Sequence, residues 1–363
     1  MIDQSRRRLL GGALALGLAT LTSAVASSGS RLQVTGRWVT GNRRLAPPTL
    51  LDGQVLYAGD TTLGLLDPSR TQPLWSTPHA LPGAAVFRPR GIADRVIAGS
   101  LRQLAAWRPG HDKALWRHVA KEQIGTPCLA GDSLYVGDGH ELLAFAANSG
   151  TIRWRFAAVA DTRISYAPVV AGETIFAGPG DGRLYALAAS DGQTRWMVER
   201  MAEWQYLRQL QVSGEVLVAG GYKEKLYGLD LADGRQRWTF SAGNFINSQH
   251  VADGVAYLWS PTGWLYAIDT ASGAVRWRHR TTDYRGGSAS WASVMAELVT
   301  ADGKLYALDL ANVLHVLAVD SGEEIARVPL PEAVQPFVLP LPGGELLFGS
   351  RDGALFAGHL FSA

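Results

Sequence analysis

The sequence predicts an all-β protein, an eight-bladed β-propeller of four-stranded antiparallel blades closed by an N-terminal strand. Three observations carry this expectation. A Gly stands four residues ahead of a Trp in Gly150–Trp154, Gly192–Trp196, Gly234–Trp238 and Gly273–Trp277, with degenerate copies ending in Trp75 and Trp116. Those six Trp residues lie 38 to 42 positions apart, which is a repeat period. Each repeat divides into four short pieces that alternate apolar and polar residues between Gly, Asp and Asn turns, and no stretch has convincing helical periodicity.

In chain order, residues 1–26 read as an export address. Ser5-Arg6-Arg7-Arg8-Leu9-Leu10 is a twin-arginine-like basic segment, an apolar stretch runs from Leu9 to about Thr22, and Ala24-Val25-Ala26 is an A-x-A cleavage pattern. The stretch is short and Gly-interrupted, so a cleaved signal is expected rather than a spanning helix. That implies a periplasmic or otherwise extracytoplasmic location.

Residues 27–363 form the propeller. The third repeat shows the layout. Thr126–Leu129, Ser133–Val136, Glu141–Ala146 and Thr151–Phe156 are its four strands, separated by turns at Gly131-Asp132, Gly139-His140 and Asn148-Ser149-Gly150. Second strands of the eight units begin near Gln54, Arg95, Ser133, Thr174, Glu215, Val255, Lys304 and Glu345. The last unit ends after its third strand. Leu32 to Val39 is expected to supply the fourth, beside Ala354 to Phe361, which would close the ring and remove an exposed edge. The repeated Trp reads as a wedge between blades, and the Gly as a turn residue open to positive φ.

Composition bounds the function. The chain has 363 residues, 47% hydrophobic and 18% charged, enough for a large core. Lys and Arg number 34 against 32 Asp and Glu, and removal of Arg6, Arg7, Arg8 and Asp3 with the address leaves a neutral remainder. That excludes nucleic-acid binding by phosphate neutralisation. One cysteine, Cys128, excludes an intrachain disulfide and any Cys-cluster metal site. It stands where the next blade has Val169, so it reads as a small buried hydrophobe. Asp60, Asp138 and Asp181 read as turn residues, and His250 and His315 as structural histidines.

The unit Leu-Tyr-Ala-Leu-Asp followed by Gly-x-x-x-Trp resembles the PQQ-like propeller repeat of quinoprotein alcohol dehydrogenases and of BamB-type outer-membrane assembly proteins. The dehydrogenase resemblance implies PQQ held between an adjacent Cys-Cys disulfide and a Trp, with Ca²⁺ nearby. Trp204 or Trp291 could floor such a site, and Glu203, Asn247 and Asp283 could ligate, but one cysteine cannot form the clamp. No catalytic or metal-binding residue is therefore expected, and no cofactor. A PQQ- or metal-dependent oxidoreductase is the alternative, and a glycan-binding propeller a third reading.

Function is expected in what does not repeat. The links that lead from one blade's outer strand to the next blade's inner strand carry Trp204, Tyr206, Asn247, Gln249, Tyr284, Arg285 and Trp291, and the stretch from Arg280 to Ser293 is the longest departure from the period. Aromatic, amide and single charged side chains of this kind make recognition surfaces. The resulting expectation is an exported, monomeric, non-catalytic scaffold that binds a protein or peptide partner in the cell envelope.

Overall fold

The structure, a computed structural model, describes residues 30–159, 162–200, 208–220, 225–243, 248–260, 262–281, 297–309 and 311–361. They form eight four-stranded antiparallel sheets arranged as the blades of a propeller. In blade 1 the strands run Thr49–Leu51, Gln54–Ala58, Thr62–Leu66 and Trp75–Pro78, from the central channel outward. Blades 2 to 7 repeat that order. Blade 8 takes three strands from Val334–Pro340, Leu346–Ser350 and Leu355–Phe361, and its outer strand is Arg31–Trp38. The closure expected from the sequence is therefore observed, with Leu32 opposite Leu360 and Trp38 opposite Leu355.

The core is divided. Eight buried apolar clusters occur, one at each seam between neighbouring blades. Strand geometry dictates this, because successive side chains leave opposite faces of a sheet. In blade 3, Leu134 and Val136 pack toward blade 2, while Tyr135 packs toward blade 4. Both faces of the middle strands are thus buried, and they read as continuous apolar runs.

The Trp is a staple across the seam. Trp38, Trp116, Trp154, Trp196, Trp238 and Trp277 each donate Nε1–H to a backbone carbonyl of the following blade, at 2.6 to 3.2 Å. Trp154, Trp238 and Trp277 are buried, whereas Trp196 is half-buried. The repeated Gly does more than turn the chain. A Cβ on Gly192 would lie 2.6 Å from the Trp154 ring, and one on Gly273 would lie 2.7 Å from Trp238. Each Gly seats the Trp of the preceding blade, so the Gly and Trp four positions apart in sequence serve opposite seams.

Blade 7 departs from the pattern. Ala326 replaces the Trp, and His315 stands where blades 4, 5 and 6 have Tyr185, Tyr227 and Tyr266. His315 is fully buried between two carboxylates, with Nδ1 2.7 Å from Glu324 and Nε2 3.4 Å from Asp309. Burial opposes its charge, but the hydrogen bonds to Asp309 and Glu324 outweigh that and raise its pKa above the usual value. The same pairing, with help from Arg327, holds Glu324 below the usual carboxylate range despite burial. Neighbouring His279 is lowered by burial.

A pH dependence follows, with a definite sign. A base whose folded pKa is raised stabilises fully below its unfolded value of about 6.5 and loses that contribution as pH rises through the folded value. Glu324 acts in the other direction, its contribution fading only on acidification. Urea unfolding from about pH 6 to about pH 9 is expected to show a loss of stability that His315→Gln lacks. Parallel pH curves for the two proteins would refute this assignment.

Candidate functional site

Links between blades and turns between second and third strands share one end of the ring. Carboxylates in those turns fasten them together, Asp138 and Asp181 buried and Asp60 half-buried. Asp138 accepts the amides of Lys121 and Glu122 at 3.0 Å, and Asp60 accepts that of Arg43 at 2.8 Å. Asp181 accepts the amide of Arg183 and its own blade's Tyr185 hydroxyl. Asp60 and Asp138 are thus clamps between turn and link, beyond the turn role their sequence positions suggest.

At this end a cavity of about 420 Å³ opens on the channel. Its polar lining comes from Gln209, Gln211, Ser248, Gln249, His250 and Glu297, at or just before the inner strands of blades 5 to 7, and Pro47 and Pro336 close the sides. Gln249 is 8% exposed. Its Nε2 donates to the Gln209 carbonyl, and its Oε1 is buried with no hydrogen-bond partner among the described residues. Gln211 Oε1 is likewise buried and unpartnered. His250 Nε2 lies 2.9 Å from the Thr300 hydroxyl, and burial lowers its pKa, so the ring is neutral at pH 7. Leaving a buried acceptor unmade costs about 1–3 kcal/mol, so two at one mouth mark a place where a donor belongs.

An ion pair spans the channel beside this cavity. Arg88, just ahead of blade 2, meets Glu297, just ahead of blade 7, and also donates to the Pro48 carbonyl. Burial and the neighbouring Arg90 bring Arg88 down to about 10, which leaves it charged at neutral pH. Cys128 is half-buried beside Arg90, not fully buried as its sequence position suggested. Burial pushes its thiol up, more than Arg90 pulls it down, so it is not an activated nucleophile.

Of the residues singled out from the sequence, Gln249 is in place at the channel mouth. Trp204, Tyr206, Asn247, Tyr284, Arg285 and Trp291 lie outside the described residues, as do Glu203, Asp283 and the address in residues 1–26. Gln209, Gln211, Glu297 and Arg88 were not singled out. They belong to links that the sequence marks only as irregular, and nothing local signals their convergence.

A PQQ group does not fit the described mouth. Arg88, the cation beside it, is already committed to Glu297 and the Pro48 carbonyl. The single cysteine cannot clamp a quinone ring between sulfurs. Among the described residues no group of three or more His, Cys, Asp or Glu side chains is placed to hold a metal ion.

Fold and repeat together define a PQQ-like propeller. A family model described as outer membrane protein assembly factor BamB matches residues 98–244 and 207–335, about two thirds of the chain taken together, and the chain belongs to this family. Comparison with curated proteins gave no match. Among solved structures, the computationally designed Ika8 protein is similar over 90% of this chain and 99% of its own, with TM-score 0.77 and 12% identity. BamB from Moraxella catarrhalis is similar over 90% of this chain and 97% of its own, with TM-score 0.68 and 19% identity. Quinohemoprotein alcohol dehydrogenase ADHIIG from Pseudomonas putida HK5 covers 93% of this chain and 78% of its own, with TM-score 0.67 and 13% identity. At these identities the likeness is one of fold, and a fold shared by a designed protein, an assembly factor and a dehydrogenase assigns no activity.

Proposed function

We propose that this protein is an exported, non-catalytic scaffold that binds a polypeptide segment across the channel mouth, in the assembly of cell-envelope proteins. The observation that carries this is a pair of buried amide oxygens with no hydrogen-bond partner among the described residues, Gln249 Oε1 and Gln211 Oε1, on two residues that line one cavity. A peptide backbone presents N–H donors at regular spacing, which suits two acceptors fixed on neighbouring inner strands. Family membership supports the assembly role, and the basic, apolar and A-x-A segments of residues 1–26 support export.

The test uses peptides selected by display against the full chain. Gln249→Leu and Gln211→Leu are expected to weaken the selected peptides by about 1–3 kcal/mol each in calorimetry, with little change in melting temperature. Tyr284→Ala and Arg285→Ala are expected to weaken them by about 1–3 kcal/mol each, as interface anchors. Peptides that bind all four variants with unaltered affinity would refute the reading. Tight, saturable uptake of PQQ with Ca²⁺ at the mouth would favour the oxidoreductase instead.

A further inference from the structure

A second pocket, of about 380 Å³, lies on the same end of the ring where blades 7, 8 and 1 meet. Arg43, Arg44 and Arg351 line it, with Asp309, Asn312 and Gln335. Among the described residues none of the three guanidiniums has an ion-pair or hydrogen-bond partner, although exposed arginines elsewhere on this chain commonly find one. The nearby carboxylates are already engaged. Asp60 holds the backbone amides of Arg43 and Arg44, and Asp352 and Glu332 hold Arg37. Asp309 accepts the amides of Ala311 and Val313 and faces His315.

The segments that carry these arginines are fixed against one another. Gly353 has φ +90, and a Cβ there would lie 1.7 Å from the Asn42 carbonyl and 2.9 Å from the Arg43 Cα. Only Gly permits that contact, which sets Arg351 beside Arg43. Thr40 Oγ1 donates to the Gly353 carbonyl at 2.6 Å. Gln335 accepts the Leu45 amide at 2.9 Å and donates to the Ser350 carbonyl at 2.8 Å, tying together the residues that flank Arg44 and Arg351. Asn312 spends Oδ1 on the Val334 amide, which leaves its NH₂ for the pocket.

We propose that this pocket binds a phosphate group. Among the described residues three unpaired guanidiniums and an amide NH₂ offer donors and charge, and the one carboxylate of the lining, Asp309, is engaged by the Ala311 and Val313 amides and by His315. A planar carboxylate meets at most two guanidinium forks and neutralises one charge. A tetrahedral phosphate dianion presents oxygens in enough directions for three. The protein's overall balance is near neutral, so this is a local feature and not a consequence of a basic chain.

The test is calorimetric titration of the full chain with inorganic phosphate at fixed ionic strength, where general screening is constant. One saturable site is expected, weakened roughly tenfold by Arg43→Ala and by Arg351→Ala and unaffected by Arg195→Ala on the outer strand of blade 4. Gly353→Ala should weaken it too, and the milder Arg44→Gln serves should that variant not fold. Sedimentation with phosphatidylcholine vesicles, with and without phosphatidic acid, separates the sources. Arginine-dependent capture by the acidic vesicles assigns the phosphate to a lipid headgroup, and phosphate binding without capture assigns it to a soluble molecule. No phosphate binding, or binding that survives Arg43→Ala/Arg351→Ala unchanged, overturns the proposal.

Discussion

Deletion of residues 30–40 is expected to cost the protein more than about 5 kcal/mol, read as a large drop in the urea midpoint. Those residues hold the outer strand of blade 8, paired from Arg31 opposite Phe361 to Trp38 opposite Leu355. Their loss would bare the edge of Leu355–Phe361, a template for pairing with other chains. It would also remove Trp38, which is 4% exposed and reaches blade 1 with its Nε1–H on the Arg70 carbonyl. Arg37 would no longer bridge Glu332 and Asp352. The ring would then be open at one seam, with the apolar cluster of Tyr57, Leu66, Leu347 and Leu355 in reach of water. A synthetic peptide of residues 30–40 should restore part of the lost stability when added in trans. A truncated protein that unfolds at the same urea concentration as the intact one would show that the splice does not hold the ring.

Most of this fold can be read from the sequence because a repeat reports its own period. The second strands begin at Gln54, Arg95, Ser133, Thr174, Val216, Val255, Lys304 and Leu346, within one residue of the positions read from the turns. What periodicity cannot report is which copy touches which. Gly192 and Trp196 read as one local unit, yet Gly192 packs on Trp154. The ion pair of Arg88 with Glu297 joins residues 209 positions apart and exists only because the ring closes. Single departures from the repeat were also opaque. His315 in a Tyr position reads as a structural histidine, and only the approach of Asp309 and Glu324 favours its charged form. The candidate mouth was legible as a set of irregular links, of which Gln249 could be placed. Its acceptor character required knowing that Gln249 Nε2 is held by the Gln209 carbonyl.

Trp238→Ala is expected to cost about 3–5 kcal/mol in urea unfolding, the range for truncating a large buried aromatic. The ring is 8% exposed and donates Nε1–H to the Thr270 carbonyl at 2.8 Å, so the variant loses apolar burial, leaves a cavity and orphans a buried acceptor. Its neighbours are shaped to it. A Cβ on Gly228, on the adjoining strand of the same blade, would meet the indole at 2.0 Å, and one on Gly273 of the next blade at 2.7 Å. Gly273→Ala is therefore destabilising for two reasons, the clash with the ring and the φ of +74, which suits glycine. In the double variant Trp238→Ala/Gly273→Ala the clash disappears and only the backbone strain and the lost burial remain. The two costs should fall short of additivity by roughly 0.5–3 kcal/mol, the coupling expected of residues in contact. Trp196→Ala, which removes a half-buried ring with a longer hydrogen bond of 3.2 Å, should cost less than Trp238→Ala. Strict additivity in the Trp238–Gly273 cycle would mean that the glycine is kept for its turn alone, and the seam-by-seam account of the core would fail with it.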